Sequence, residues 1–180
     1  TIDDFRNFYR PSKTSTLFFL KDAIDSACKI IKVQLKDENI NVTVKSAKEI
    51  EICTYENELK QSLLNILNNA KDAAIIKKHN IDFKAVVSVK IERQEDKAIL
   101  QIINNCGEGS REVLDRMFEP YFTTKHKATG TGMGLFMLHE FIVKHFNGNI
   151  QIENTQFIYK NSDYKGSQVI IEIPSSLGSR

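Results

Sequence analysis

The chain has 180 residues, 41% hydrophobic and 27% charged, with 25 Lys+Arg against 23 Asp+Glu and a net charge of +2. That is the composition of one globular domain with a single core. The near balance of charge excludes a polyelectrolyte built for nucleic acid, and no apolar run reaches the length of a bilayer span, so this stretch is expected to make no membrane contact.

The opening Thr1-Ile2-Asp3-Asp4 is acidic where an export signal would be basic, and with no initiator Met it suggests a fragment of something longer, this stretch expected to be cytoplasmic whether or not the full-length protein is membrane-anchored. Cys28, Cys53 and Cys106 are odd in number and widely spaced. They read as reduced thiols, with neither a disulfide framework nor a zinc site.

In chain order, Ile2, Phe5, Phe8 and Tyr9 recur at helical spacing before Arg10-Pro11 breaks the pattern. Residues 1–14 therefore read as the end of a helix plus a linker. Residues 16–20 are β-branched and aromatic, a strand. Ala23, Ala27, Ile30, Ile31 and Leu35 recur at three and four, predicting a helix over 22–35. Two short strands follow at 41–45 and 51–55, then a long helix over 56–78. Residues 86–93 and 97–103 alternate in period two around a polar turn, a hairpin. Glycine loops and a short helix fill 104–132, and a second amphipathic helix spans 133–146, closed by Asn147-Gly148. Final strands are predicted at 150–153 and 168–173, the latter opened by Gly166-Ser167, with residues 176–180 a loose tail. The mixture predicts a two-layer α/β sandwich, a mixed sheet with helices on one face.

The long helix has three faces on a helical wheel. Leu59, Leu63, Ile66, Ala70 and Ala74 should pack on the sheet, while Lys60, Lys71 and Lys78 should face water. The third stripe is Glu58, Gln61, Asn65, Asn69 and Asp72. On the helix alone it is either a second solvated face or a row of oxygen ligands for a hard cation and its phosphates.

Three glycine-bearing segments bear on that choice. Asn105-Cys106-Gly107-Glu108-Gly109 follows a predicted strand, and Gly130-Thr131-Gly132-Met133-Gly134-Leu135 precedes a helix, where free N–H groups suit a phosphate. Gly166-Ser167 is the third. Between the first two lies Phe118-Glu119-Pro120-Tyr121-Phe122-Thr123-Thr124-Lys125. With Leu64-Asn65-Ile66-Leu67-Asn68-Asn69-Ala70 on the long helix, these segments occur in the order of the N-box, first glycine box, F-box and later glycine boxes. Residues 15–175 resemble the catalytic ATP-binding domain of bacterial sensor histidine kinases, in the GHKL ATPase superfamily with its Bergerat-type sandwich.

The resemblance implies ATP and Mg²⁺ as cofactors. Asn69 would ligate Mg²⁺ and Asn65 would line the phosphate site, where water-activating relatives carry a glutamate. An amide there cannot act as a general base, which fits phosphoryl transfer to a histidine over hydrolysis. Arg116 and Lys125, together with Lys127, would neutralise phosphate charge. Gly107 and Gly109 would fold around adenine, and Phe118 belongs to the F-box. Gly130, Thr131, Gly132, Met133, Gly134 and Leu135 would form the base of a short lid at 126–129, and Ser167 would help hold adenine. The implied partners are an upstream dimerisation and histidine-phosphotransfer domain, of which residues 1–10 resemble the close, and a response regulator.

Three departures stand out. Asn105 occupies the place of an aspartate that accepts the adenine amino group, so a loss of about 1–3 kcal/mol is expected, which Asn105→Asp should restore. Ser110 replaces an apolar residue, and Asp72 stands where relatives often have a basic one. Neither His139, near the packed face, nor His79, His126 or His145 has the setting of a phosphoacceptor, which is therefore expected upstream. The alternatives are a nucleotide-impaired interaction module, through Asn105, and a serine-phosphorylating relative of the anti-sigma kind, against which the F-box and leading helix stub argue.

Overall fold

The computed structural model describes residues 14–46, 49–79, 83–125 and 130–176. The leading helix stub, the lid with His126 and Lys127, and the last four residues lie outside them.

Strand β1 (Thr16–Phe19) runs into α1 (Leu20–Asp37), followed by β2 (Ile40–Ser46), β3 (Glu51–Thr54) and α2 (Glu56–Lys78). Then come β4 (Ala85–Gln94), β5 (Lys97–Asn104) and the short α3 (Arg111–Arg116). Helix α4 (Gly134–His139) continues as a π-helical stretch, Glu140–His145, before β6 (Asn149–Tyr159) and β7 (Ser162–Pro174). The main sheet has the order β2-β4-β5-β7-β6, with β2 parallel to β4 and the other pairs antiparallel. β1 and β3 form a separate two-stranded antiparallel sheet.

Period-two patterning decides which sheet face is covered. In β5, Ala98, Leu100, Ile102 and Asn104 are buried, while Ile99, Gln101 and Ile103 are half-buried. Against the buried face pack Leu20, Ala23, Ile24, Ala27, Ile31 and Leu35 of α1, and Leu59, Leu63, Ile66, Leu67, Ala70 and Ala74 of α2. Leu138, Ile142 and Phe146, all fully buried, bring in the last helix. The result is the two-layer sandwich the sequence predicts.

Three local features differ from the prediction. Lys71 and Lys78 turn toward α1, where Lys71 Nζ donates to Gln34 Oε1 at 2.7 Å and Lys78 Nζ to the Glu38 carbonyl, so their helix face is half-buried. Residues 175–176 are tied down: the Ser175 carbonyl accepts from Cys53 N at 2.9 Å, and Ser176 bridges to Cys53. Finally, β6 and β7 extend well past the predicted strands into a hairpin arm. Its two-residue turn, Lys160-Asn161, has φ of 49° and 62°, the left-handed pair that matches strand twist. The arm outruns β5, whose pairing with β7 ends at Asn104↔Ser167. It has no covered face to impose alternation, and Phe157 and Tyr164 stack on each other at 5.7 Å instead. Asn147, with φ 50°, and Gly148 close the last helix as expected.

Candidate functional site

A cavity of about 440 Å³ opens between α2, the end of β5 and the middle of β7. Helix α2 contributes Asn65, Asn69 and Asp72 of its third stripe, while Glu58, which is buried, and Gln61 do not line the cavity; the F-box contributes Phe122, Thr123, Thr124 and Lys125. The glycine segments contribute Gly107, Gly109, Gly130, Thr131, Gly132, Gly134 and Leu135, and the sheet supplies Asn104, Ile152, Ser167 and Val169. The C-terminal part of the stripe is thus one wall of a pocket.

Hydrogen bonds hold these segments in place. Asn65 Nδ2 donates to the Gly134 carbonyl at 3.3 Å, joining α2 to the start of α4. Tyr121 N donates to the Gly132 carbonyl at 3.1 Å, joining the F-box to the second glycine segment. Gly132 has φ +66°, and a Cβ there would stand 2.4 Å from the Tyr121 carbonyl carbon. Only glycine meets both demands without strain. Gly109 exchanges two bonds with Asn154, N to Oδ1 at 2.9 Å and Nδ2 to O at 2.8 Å, which pins the first glycine segment to β6.

Two adjacent asparagines divide the labour at the sheet end. Asn105 is 2% exposed and does not line the cavity. Its Oδ1 accepts from Val86 N at 2.8 Å and its Nδ2 donates to the Lys84 carbonyl at 2.8 Å, stapling the end of β5 to β4. The side chain expected to meet the base is thus engaged by backbone and lies off the cavity. Asn104 faces the cavity: its Nδ2 donates to Ser167 Oγ at 3.1 Å and its Oδ1 accepts from Cys106 N at 3.0 Å. Strand alternation carried the signal, since extending Ala98, Leu100, Ile102 by one step puts Asn104 inward and turns Asn105 away. Gly166 lies inside β7 and does not open it; a Cβ there would fall 1.8 Å from the Asn104 carbonyl oxygen.

At the far end, Lys125 Nζ donates to Asp72 Oδ2 at 2.6 Å and to Asn69 Oδ1 at 3.1 Å. Asn69 and Asp72 lie three residues apart on α2, and both oxygens converge on one cationic group. Among the described residues no group of three or more His, Cys, Asp or Glu is placed to hold a metal ion.

Three other expected residues lie off the cavity. Arg116 pairs with Glu119 at 3.1 Å and Glu112 at 3.7 Å, and its guanidinium sits 4.5 Å from the centre of the Phe122 ring. Phe118 packs against the core and tilts on His139 at 5.1 Å. Met133 is the N-cap of α4. Ser110 caps α3, accepting from Val113 N at 3.3 Å, which accounts for a hydroxyl at that position. A larger groove of about 1040 Å³ between α1 and β2 holds none of the expected site residues. No helix among the described residues is long and apolar enough to cross a membrane.

Comparison with known proteins bears on the family and the fold. Residues 54–177 match the family described as histidine kinase-, DNA gyrase B-, and HSP90-like ATPase. The sensor protein DegM of Bacillus sp. (strain B21-2) is 25% identical over 96% of this chain and 42% of its own length. Sporulation kinase D of Bacillus subtilis is 29% identical over 87% of this chain and 28% of its own. The chain thus spans less than half of these curated relatives. Among solved structures, the catalytic domain of histidine kinase ThkA superposes with a TM-score of 0.74 at 23% identity, covering 90% of this chain and 96% of that one. A structure of ThkA in complex with the response regulator TrrA superposes at 0.71 and 20% identity, covering 99% of this chain and 47% of that one.

Proposed function

Because the chain belongs to the family of histidine kinase-, DNA gyrase B- and HSP90-like ATPases, as a catalytic domain of the sensor histidine kinase type, we propose that it binds Mg·ATP in the α2–sheet cavity and passes the γ-phosphoryl group to a histidine on an upstream domain. A response regulator would then take the group, as the complex of the similar ThkA with TrrA encourages. The observation that carries this reading is the convergence of the α2 amide stripe and all three glycine segments on one cavity.

The roles follow from position. Asn104 lines the cavity with its amide orientation set by a backbone N–H at Cys106, and the second lone pair of its oxygen would accept from the adenine amino group. Ser167 supports that amide. Asn69, already in contact with an ammonium, fits a hard cation, and the phosphates would complete a shell that the described residues cannot supply alone. When bound, Mg²⁺ would neutralise charge on the phosphates. Asn65 holds the start of α4 and offers no general base to a water. Lys125 is the cation at hand for the transferring group, and Arg116 would reach the phosphates only by leaving Glu119. Lys127 is kept as a further phosphate contact.

Titration calorimetry with a non-hydrolysable ATP analogue and Mg²⁺ tests the site, and transfer of labelled phosphate to the upstream domain supplied in trans tests the activity. Saturable binding below millimolar nucleotide and a phosphohistidine product are expected. Absence of binding at millimolar nucleotide would turn the reading to an interaction module, and a phosphoserine product to the anti-sigma kind.

A further inference from the structure

The charge at the phosphate end has an unusual arrangement. A carboxylate, Asp72, lines a cavity proposed to receive a triphosphate, and the lysine best placed for those phosphates is bound to it. Left as they are, the two work against the nucleotide: Asp72 repels the phosphates and also occupies the charge of Lys125. The pair has limited exposure, with Lys125 at 24% and Asp72 at 36%, so solvent screens it only partly. The other Asp72 oxygen stands 4.0 Å from Lys71 Nζ, which is itself held by Gln34, so Lys71 is the remaining cation on that side.

Resting on the nucleotide reading above, we infer that Asp72 is a cation-exchange residue. It holds the Lys125 ammonium in the nucleotide-free protein and turns to the divalent cation when Mg·ATP enters, so that metal binding frees Lys125 for the phosphates. Charge is conserved in the exchange: one carboxylate–ammonium pair becomes a carboxylate–metal pair and an ammonium–phosphate pair. Asn69 takes part because its oxygen and that of Asp72 already share one cationic partner. The motion needed is confined to a side chain. The Lys125 backbone N–H donates to Thr123 Oγ1 at 3.1 Å, and Gly130 packs so closely that a Cβ would come within 2.9 Å of Lys125 Cβ. The three carbons beyond Cβ swing with the ammonium and the loop stays.

The consequence is a coupling between metal and nucleotide that runs through Asp72. Calorimetry of ATP binding to the wild-type chain and to Asp72→Asn, each with Mg²⁺ and with EDTA, measures it. Asp72→Asn should tighten metal-free ATP about three- to tenfold, by freeing Lys125 and removing the repulsion, and should shrink the enhancement by Mg²⁺ by at least that factor. Adding Lys125→Met to Asp72→Asn should abolish the gain in metal-free affinity. Equal metal-free affinity and an unchanged Mg²⁺ enhancement in Asp72→Asn would overturn the exchange, as would a gain that survives Lys125→Met. Circular dichroism of each variant verifies the fold. Failure of the wild-type chain to bind ATP under either condition would instead remove the nucleotide reading itself.

Discussion

The two ends of the cavity are built on different principles. At the base end backbone groups hold both asparagines: Asn104 by Cys106 N, beside its bond to the Ser167 hydroxyl, and Asn105 by Val86 N and the Lys84 carbonyl, while Gly166 lies against the Asn104 carbonyl. At the phosphate end side chains hold side chains, Lys125 on Asp72 and Asn69, in a half-open setting. Backbone bonds within a sheet move only with the sheet, whereas a lysine stem rearranges by rotamer changes. A rigid wall suits a ligand part whose shape never changes, the base. A pliable wall suits the part that carries variable charge and leaves as product.

The harshest way to break this contrast is Gly166→Ala. The new Cβ would collide with a backbone oxygen, which cannot rotate away, so β5–β7 pairing must part. A loss of about 3 kcal/mol in urea unfolding is expected, together with loss of nucleotide binding. A tolerated alanine would show the base end to be as yielding as the other.

Asn105→Asp comes next. One carboxylate oxygen can still accept from Val86 N, but the other would face the Lys84 carbonyl where the amide now donates. Nearby Lys77, which donates to the Asn105 carbonyl at 2.7 Å, offsets part of the charge. Stability should fall by about 2 kcal/mol with no tightening of ATP. Asn104→Asp sharpens the same point in the opposite direction. The Ser167 hydroxyl can turn to donate, the carboxylate gives the base a charge-assisted acceptor, and affinity should rise about tenfold in the same calorimetric assay. If Asn105→Asp tightened binding and Asn104→Asp did not, the base contact would belong to the position first expected from the motif.

These two asparagines also mark how far the sequence could be read. Helical spacing alone fixes which side chains share a face, so Asn65, Asn69 and Asp72 share one wall of the cavity, while Glu58 and Gln61 of the same stripe lie off it. Motif spacing counted from the glycines points to Asn105, whereas period-two alternation in β5 puts Asn104 on the cavity, the residue proposed above for the base contact. The hairpin arm is not announced by the sequence because, beyond β5, no side chain of residues 155–165 is more than half-buried, which leaves the alternation weak. The Asp72–Lys125 pair joins residues 53 apart in sequence, and no local pattern announces such a contact. Arg116 and Phe118 belong to the motif but serve the loop's own packing.

The smallest expected effect uses Cys106, which lies beneath the rigid end at 2% exposure. Burial pushes its thiol up from 9.0 to about 11, with Lys77 and Lys78 opposing the shift. Above pH 9 the unfolded chain releases this proton while the folded chain keeps it. The unfolded state is then favoured, and stability falls as pH rises from about 9 toward 11. Between pH 8 and 10 this thiol should cost the wild-type chain about 1 kcal/mol that Cys106→Ala does not lose. Urea unfolding of both across that range reads the difference. Cys28 on α1, raised likewise to about 11 by burial, is present in both chains and cancels. Lines that stay parallel would mean that water reaches Cys106, and a base end open enough to hydrate that thiol could not be the fixed wall that Asn104 and Asn105 are argued to form.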